Sequence, residues 1–376
     1  MRICILYDCL FPWTIGGAER WYRNLAERLA QEGHAVVYLT LCQWEPTDTP
    51  DIPGVRVIAV GPRMPLYAAG KRRIWPPIRF GLGVFLHLLR HGRHYDRIHT
   101  ASFPFFSLVA AGLFRPWAGY GITVDWHEVW SRKYWRAYMG RAGGIGAFIQ
   151  AWCARIPQRA YSFSQLHLER LRALGVNGPS SLLPGEYAGG VCKPLPLQAG
   201  HIVFAGRLIP EKRVDLLVDA LALAVRRSPM LHATIFGRGP ELPAIEAQIR
   251  DLGLGDQIRL AGFVDEAVVD QAIRGAAVVV QPSEREGYGM VVAEASAAGV
   301  PVVVVTGEDN AATELVEDGV NGFVVAEPTP EALAGRLVDC VEQAQALRAS
   351  TRAWYAANAK RLSIDTSIEL LLADLD

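Results

Sequence analysis

The sequence offers no C-x-x-C pair, and its six cysteines, at 4, 9, 42, 153, 192 and 340, follow no regular spacing. A structural zinc site and a disulfide framework therefore have no support, and a reducing compartment fits the composition. Long apolar runs are missing too. The longest, FGLGVFLHLL (80–89) and FPFFSLVAAGLF (103–114), fall well short of the ~20 residues that span a bilayer. The opening MRICILYDCLF is cut by Asp8 and reads as a strand rather than a secretory leader. There is no short-period repeat and no low-complexity tract. Net charge is absent as well, with 38 basic against 38 acidic side chains, which as an average argues against nucleic acid or an anionic membrane as a partner. Lysine is scarce, 5 against 33 arginines, a bias expected of a GC-rich bacterial gene.

What is present is a chain of 376 residues, 51% hydrophobic and 20% charged, long enough for two ordinary domains and too apolar for disorder. Its neutrality is a sum of opposites: residues 1–183 carry 22 Lys and Arg against 11 Asp and Glu, and residues 184–376 carry 16 against 27. Nine of the ten tryptophans also precede residue 184. Short β-rich runs alternate with helical patterns, the signature of parallel α/β units. Strands are expected near 2–7, 35–41, 55–60, 97–100, 120–125, 160–163 and 180–183. After a restart at HIVFAGRL (201–208), more follow near 231–236, 257–261, 276–281, 301–305 and 323–325. The stretch LPGEYAGGVCKPLPLQAG (183–200), with three Pro and four Gly, breaks the rhythm and is the natural linker. The expected architecture is α/β, two Rossmann-like doubly wound domains facing across a cleft. The first covers 1–183, the linker 184–200 and the second 201–351, and a helical segment at 352–376 packs back on the first. Ligands belong at the carboxyl ends of the strands.

The densest cluster of chemistry is PSEREGYGMVVAEASAAGVPVVV (282–304). A buried strand ends at Pro282 and Ser283, a polar loop holds Glu286, Gly287 and Gly289, and a helix runs from about Gly289 to Gly299. Glu294 follows Glu286 by eight residues, ~12 Å if fully helical and less with a loop between. One ligand could meet both carboxylates with its phosphates over the helix N-terminus. The bland reading makes Glu286 a solvated loop charge and Glu294 a surface residue. The glycines, which let backbone approach closely, and the strand, loop and helix setting weigh against it. In VFAGRLIPEKRVDLL (203–217), Arg207 emerges at a strand end and Pro210 and Glu211 read as the first turn of a helix. Arg207 and Lys212 then suit diphosphate oxygens, with a surface pair between Lys212 and Asp215 as the alternative. Earlier, Gly16 and Gly17 precede a helix without a G-x-G-x-x-G spacing; they form either a loop of close approach to a diphosphate or second substrate, or a plain turn. TVDWHEVW (123–130) places Asp125, His127 and Glu128 at a strand end.

In this order the residues resemble the retaining, nucleotide-sugar-dependent glycosyltransferases of family 4 (glycosyl transferases group 1), which have the GT-B fold. The resemblance covers most of the chain and is strongest over 203–304. It rests on Gly16-Gly17, His127, GRLIPEKRVD (206–215), FGRGPE (236–241), GFV (262–264) and the E-x7-E of Glu286 and Glu294. It implies transfer of a sugar from a nucleotide diphosphate, UDP- or GDP-linked, to a hydroxyl acceptor in cell-surface polysaccharide or glycolipid synthesis. Glu294 would take the ribose hydroxyls. Glu286 and the amides around Gly287, Tyr288, Gly289 and Met290 would take the transferred sugar, and Arg207 and Lys212 the diphosphate. Gly237, Phe263 and Val264 would also border the donor, the GFV strand end lying near its base. His127 would contact the sugar from the opposing domain, and Gly16 and Gly17 would border donor and acceptor. Two departures stand out: LPGEYAGG (183–190) replaces the usual Pro-Asn-Gly, and Arg213 stands where glycine is common.

Charge supplies the expected mechanism. Negative charge grows on the departing diphosphate, so fixed cations and a helix N-terminus aimed there favour the transition state. The sugar becomes oxocarbenium-like, and the leaving oxygen takes the acceptor's proton on the same face. Neither cofactor nor metal is expected; the one D-x-D, Asp374-Leu375-Asp376, sits at the chain end. For a double displacement, Asp125 and Glu128 are the nearest nucleophile candidates. Basic and aromatic residues crowd 61–81 and 130–144, which suggests a cytoplasmic enzyme peripheral on the inner face of the plasma membrane, with a lipid-linked acceptor. A phosphorylated soluble acceptor, or an acidic second domain facing these charges, is the alternative. Rival classes are a sugar-nucleotide epimerase of similar architecture, an NAD-dependent oxidoreductase and a pure binding protein.

Overall fold

The computed structural model describes residues 1–68, 71–192 and 195–375. Asp376 of the D-x-D, two residues of the expected linker and two of the basic 61–81 segment lie outside them. The chain divides into two compact units, Met1–Glu186 with the stretch from Ser367 onward, and Tyr187–Thr366.

In the first unit, β1 (Arg2–Leu6), β2 (Ala35–Leu41), β3 (Val55–Gly61), a short hairpin of β4 (Tyr67–Ala68) and β5 (Lys71–Arg72), β6 (Arg97–Ala101), β7 (Gly121–Trp126), β8 (Arg159–Ser162) and β9 (Ser180–Leu182) follow in sequence. Apart from the hairpin they form one seven-stranded sheet, ordered β3-β2-β1-β6-β7-β8-β9, with every neighbouring pair parallel. The helix Gly17–Gln31 buries Trp21, Tyr22, Leu25 and Leu29 at helical spacing, the apolar stripe expected of a helix laid on a sheet.

The second unit contains β10 (His201–Ala205), β11 (His232–Phe236), β12 (Ile258–Gly262), β13 (Val278–Gln281), β14 (Arg285–Glu286), β15 (Val302–Val305), β16 (Asp309–Asn310) and β17 (Gly322–Val325). Its main sheet is ordered β12-β11-β10-β13-β15-β17, and β14 pairs with β16 apart from it. β13 and β15 read VVVQ and VVVV and are buried throughout, as strands covered on both faces must be. Both main sheets reverse direction of growth beside their first strand, at β1/β6 and at β10/β13. Such doubly wound sheets open a crevice there, at the carboxyl ends of the strands.

Two local expectations need correction. The helix expected from Pro210 begins as a 3₁₀ turn, Pro210–Lys212, and the α-helix proper is Val214–Arg227. Between them Arg213 has φ 47°, the left-handed region, alone among described non-glycine residues. This is a backbone conformation that glycine adopts without strain and a side-chain-bearing residue seldom does. The terminal segment also joins the first unit later than 352. Helix Ala344–Leu362 stays with the second unit because Arg348, 4% exposed, donates to the carbonyls of Ala276, Leu195 and Arg274 at 2.8–2.9 Å. Only beyond Thr366 does the chain serve the first unit: Ser367 Oγ accepts from the Gly185 amide at 2.9 Å, and Asp374 accepts from Tyr161 at 2.7 Å and Arg159 at 2.6 Å. The first unit likewise runs three residues past 183, to Glu186, and Tyr187 is held by the second through Leu362 and Ile364.

Candidate active site

Because β12, β11, β10 and β13 are neighbours in that order, the loops that follow them stand in a row at one edge of the second sheet. Backbone bonds stitch the row together. The Gly237 amide donates to Gly262 at 2.8 Å, Leu208 to Arg238 at 3.0 Å, and Glu284 to Glu211 at 2.9 Å. Gly237 has φ 131°, and a Cβ there would stand 1.8 Å from the Gly206 carbonyl oxygen, so only glycine lets these two loops touch. The sequence-expected residues fall along the row as Phe263 and Val264, then Gly237, then Arg207 and Lys212, then Glu286 to Met290. Phe263 is 67% exposed and Arg207 is exposed at the end of β10.

Lys212 and Glu286, 74 residues apart, meet at 2.5 Å with side chains only 17% and 13% exposed. The alternative pairing of Lys212 with Asp215 is not what forms; Asp215 takes Arg213 instead, at 3.3 Å. Glu286 is held in place by β14, which pairs with Asn310 of β16. The buried Asn310 amide donates to the Ser283 and Val305 carbonyls, each at 2.8 Å, and accepts from the Ala312 amide at 3.0 Å. Gly289, at φ 107°, turns the chain into helix Met290–Ala297, which carries Glu294, half-buried. Burial, with Cys192 and Glu294 nearby, pushes the Tyr187 hydroxyl well up, so the atypical linker runs beside this helix; the Cys192 amide also donates to Ala297 at 3.2 Å.

In the first unit, His127 follows β7 and stacks flat on Phe163, with centroids 4.4 Å apart, while Tyr22 of helix Gly17–Gln31 meets it edge-on at 6.0 Å. The helix behind Gly16 and Gly17 thus touches His127. His127 Nδ1 bonds Glu186 at 3.1 Å, and its Nε2 is buried with no hydrogen-bond partner. Burial disfavours the charged ring, but the bond to Glu186 and its charge, with Asp125 and Glu128 behind, more than offset this and raise the ring above its ordinary value. Glu186 was not singled out in the sequence; it lies in the LPGEYAGG departure, where the usual motif gave no reason to expect an acid.

The two carboxylates considered as nucleophiles are otherwise engaged. Asp125 is fully buried and accepts from the Trp21 indole at 2.7 Å and His99 at 2.8 Å. Burial pushes its carboxyl up, yet His99 and these bonds hold it below the usual range. Glu128 accepts from the Trp130 indole at 2.6 Å. Both read as positioning groups of the first unit. Among the described residues no three His, Cys, Asp or Glu side chains gather as a metal site requires, and no helix is long and apolar enough to cross a membrane.

Two family profiles match, in tandem. Glycosyltransferase Family 4 covers residues 15–184 and Glycosyl transferases group 1 covers 194–361. The D-inositol 3-phosphate glycosyltransferase of Streptomyces griseus is 32% identical over 219 residues, 54% of this chain and 45% of that protein. The GDP-mannose-dependent alpha-(1-6)-phosphatidylinositol monomannoside mannosyltransferase of Mycobacterium tuberculosis is 34% identical over 172 residues, 42% of this chain and 43% of that protein. The matches span less than half the length of either relative. The crystal structure of Anabaena HepE with UDP and glucose superposes with a TM-score of 0.77 at 20% identity, over 100% of this chain and 99% of that one, a likeness of fold.

Proposed function

The chain belongs to the family 4 glycosyltransferases, with the GT-B fold, and on that premise we propose that it moves a sugar from a UDP- or GDP-linked donor to a hydroxyl acceptor with retention of configuration. The observation that carries this reading is the Lys212–Glu286 pair in the row of loops after β12, β11, β10 and β13. Phe263 lies towards the base, Arg207 and Lys212 meet the diphosphate, Glu286 and the amides around Gly289 hold the sugar, and Glu294 takes the ribose. Binding the donor exchanges Lys212 from Glu286 to a phosphate oxygen and frees the carboxylate for a sugar hydroxyl. The cations then face charge that grows on the leaving group, so the proposed reaction requires no metal. The engagement of Asp125 and Glu128 supports a same-face reaction over a double displacement through either. His127 is proposed as a further sugar contact, its unpartnered Nε2 being the group that would make it. The acceptor is proposed to be lipid-linked, at the inner face of the plasma membrane, in keeping with the phosphatidylinositol-based substrate in the name of the mycobacterial relative.

Transfer assays over UDP- and GDP-sugars test this. Glu286→Ala and Arg207→Ala should each lose about 1.5–3 kcal/mol of charge-assisted binding, at least tenfold in rate, with EDTA without effect and anomeric configuration kept in the product. Near wild-type rates in both variants, or activity lost to EDTA and restored by manganese, would sink the assignment.

A further inference from the structure

Glu186 is a buried acid with no cation of its own. Its side chain is 7% exposed, and its hydrogen-bond partner is Nδ1 of His127 at 3.1 Å. Among the described residues no lysine or arginine pairs with it. A carboxylate taken out of water keeps its charge only when it is paired, so the proton of this pair belongs on the ring. The backbone on either side holds the carboxylate in place. The Gly185 amide donates to the fully buried Ser367 hydroxyl at 2.9 Å, and the Tyr187 amide to the Leu362 carbonyl at 3.2 Å.

The ring has little freedom of its own. It lies within 3° of the Phe163 plane, with Tyr22 edge-on to it. The titratable groups facing it are Asp125 and Glu128 from its own stretch, Tyr22 from helix Gly17–Gln31 and Glu186 from the segment after β9. His99, on β6, lies behind Asp125 at 2.8 Å. Burial, with Asp125 nearby, keeps the Tyr22 hydroxyl neutral. Burial also disfavours charge on the ring, but the three carboxylates more than offset it. With Nδ1–H given to Glu186, Nε2 carries the other N–H of the charged ring, and Nε2 is the buried atom with no partner. What it lacks is an oxygen to donate to.

We propose that Glu186 is a positioning residue for sugar transfer, holding His127 by Nδ1 so that Nε2–H donates to an oxygen of the transferred sugar. The pair is neutral as a whole. The ring therefore gives a charge-assisted hydrogen bond without setting net positive charge beside a sugar that becomes cationic in the transition state. The proposal rests on the sugar contact inferred above for His127 and adds the group that sets its charge and direction.

Affinities of the full-length protein for UDP-glucose and GDP-mannose are measured from about pH 5 to 10, with His127→Gln as the baseline that cancels titration of the probes themselves. In mild acid the unaltered protein is expected to bind one of them about tenfold tighter than His127→Gln does, the worth of one charge-assisted hydrogen bond. That advantage should be lost as pH rises through the raised ring value. Glu186→Gln keeps a bond to Nδ1 but not the charge, so its advantage should be lost at lower pH. Adding Glu186→Gln to His127→Gln should cost no further affinity. Binding of UDP and GDP, which carry no sugar, should be alike in all four proteins. Should Glu186→Gln fold poorly, the unaltered protein set against His127→Gln still tests the charged contact. Positioning is overturned by an advantage that ignores pH or never appears, by a Glu186→Gln profile with the parent's midpoint, or by additive losses in the double variant. The expected shift without sugar transfer to any acceptor would overturn the enzymatic reading alone, and transfer with an unmoved profile would overturn the role of Glu186 alone.

Discussion

Lys212 and Glu286 neutralise each other with side chains only 17% and 13% exposed, so neither charge stands open to solvent. His127 and Glu186 form a second such pair, and this one is sensitive to pH. Its folded-state ring value lies above the ordinary 6.5, so the pair's contribution to stability is fully present below that ordinary value and is lost as pH rises through the raised one. Glu186→Gln should therefore destabilise the protein most in mild acid and progressively less towards alkaline pH. Denaturant unfolding of both proteins from about pH 5 to 9 checks this; a difference that stays constant across the range would remove Glu186 as the cause.

At the scale of elements, the site depends on loops that hold one another. Asn310 anchors the strand that presents Glu286, and its buried amide serves two carbonyls and one N–H. Asn310→Ala leaves those groups without partners, at a cost of about 2–3 kcal/mol, and should lower the melting temperature and, on the proposed reading, raise the KM for a sugar-nucleotide donor. A variant that melts and binds donor like the parent would show that the loop stands without it. The strands themselves were legible because valine-rich runs such as VVVV (302–305), bounded by Gly and Pro, have few other places to go. The Glu286 loop and the Gly289 turn were legible for the same kind of local reason. What was not legible was long-range: a partner 74 residues from Lys212 leaves no periodic trace, and the left-handed Arg213 hides behind an otherwise helical pattern. Glu186 was masked by its position in an unfamiliar linker.

The whole molecule is two parallel α/β units whose boundary in space is not a boundary in sequence, since residues from Ser367 belong with Met1–Glu186. Ending the chain at Thr366 removes Ile368 and Leu371, 2% and 1% exposed, and the Asp374 contacts to Arg159 and Tyr161. Each buried aliphatic side chain contributes about 1.5–3 kcal/mol, so the first unit should melt several degrees earlier. Tryptophan fluorescence reports that unit selectively, Trp354 being the one indole outside it. Coincident melting of truncated and full-length protein would contradict this.

That return of the chain sets an order of events during synthesis. The unit begun first is completed last: everything it needs except the tail leaves the ribosome with Glu186, and the tail follows only after the second unit has been made in full. Through that interval the arginine- and tryptophan-rich half waits without its closing helix, and a gene fragment ending at Glu186 encodes an unfinished fold.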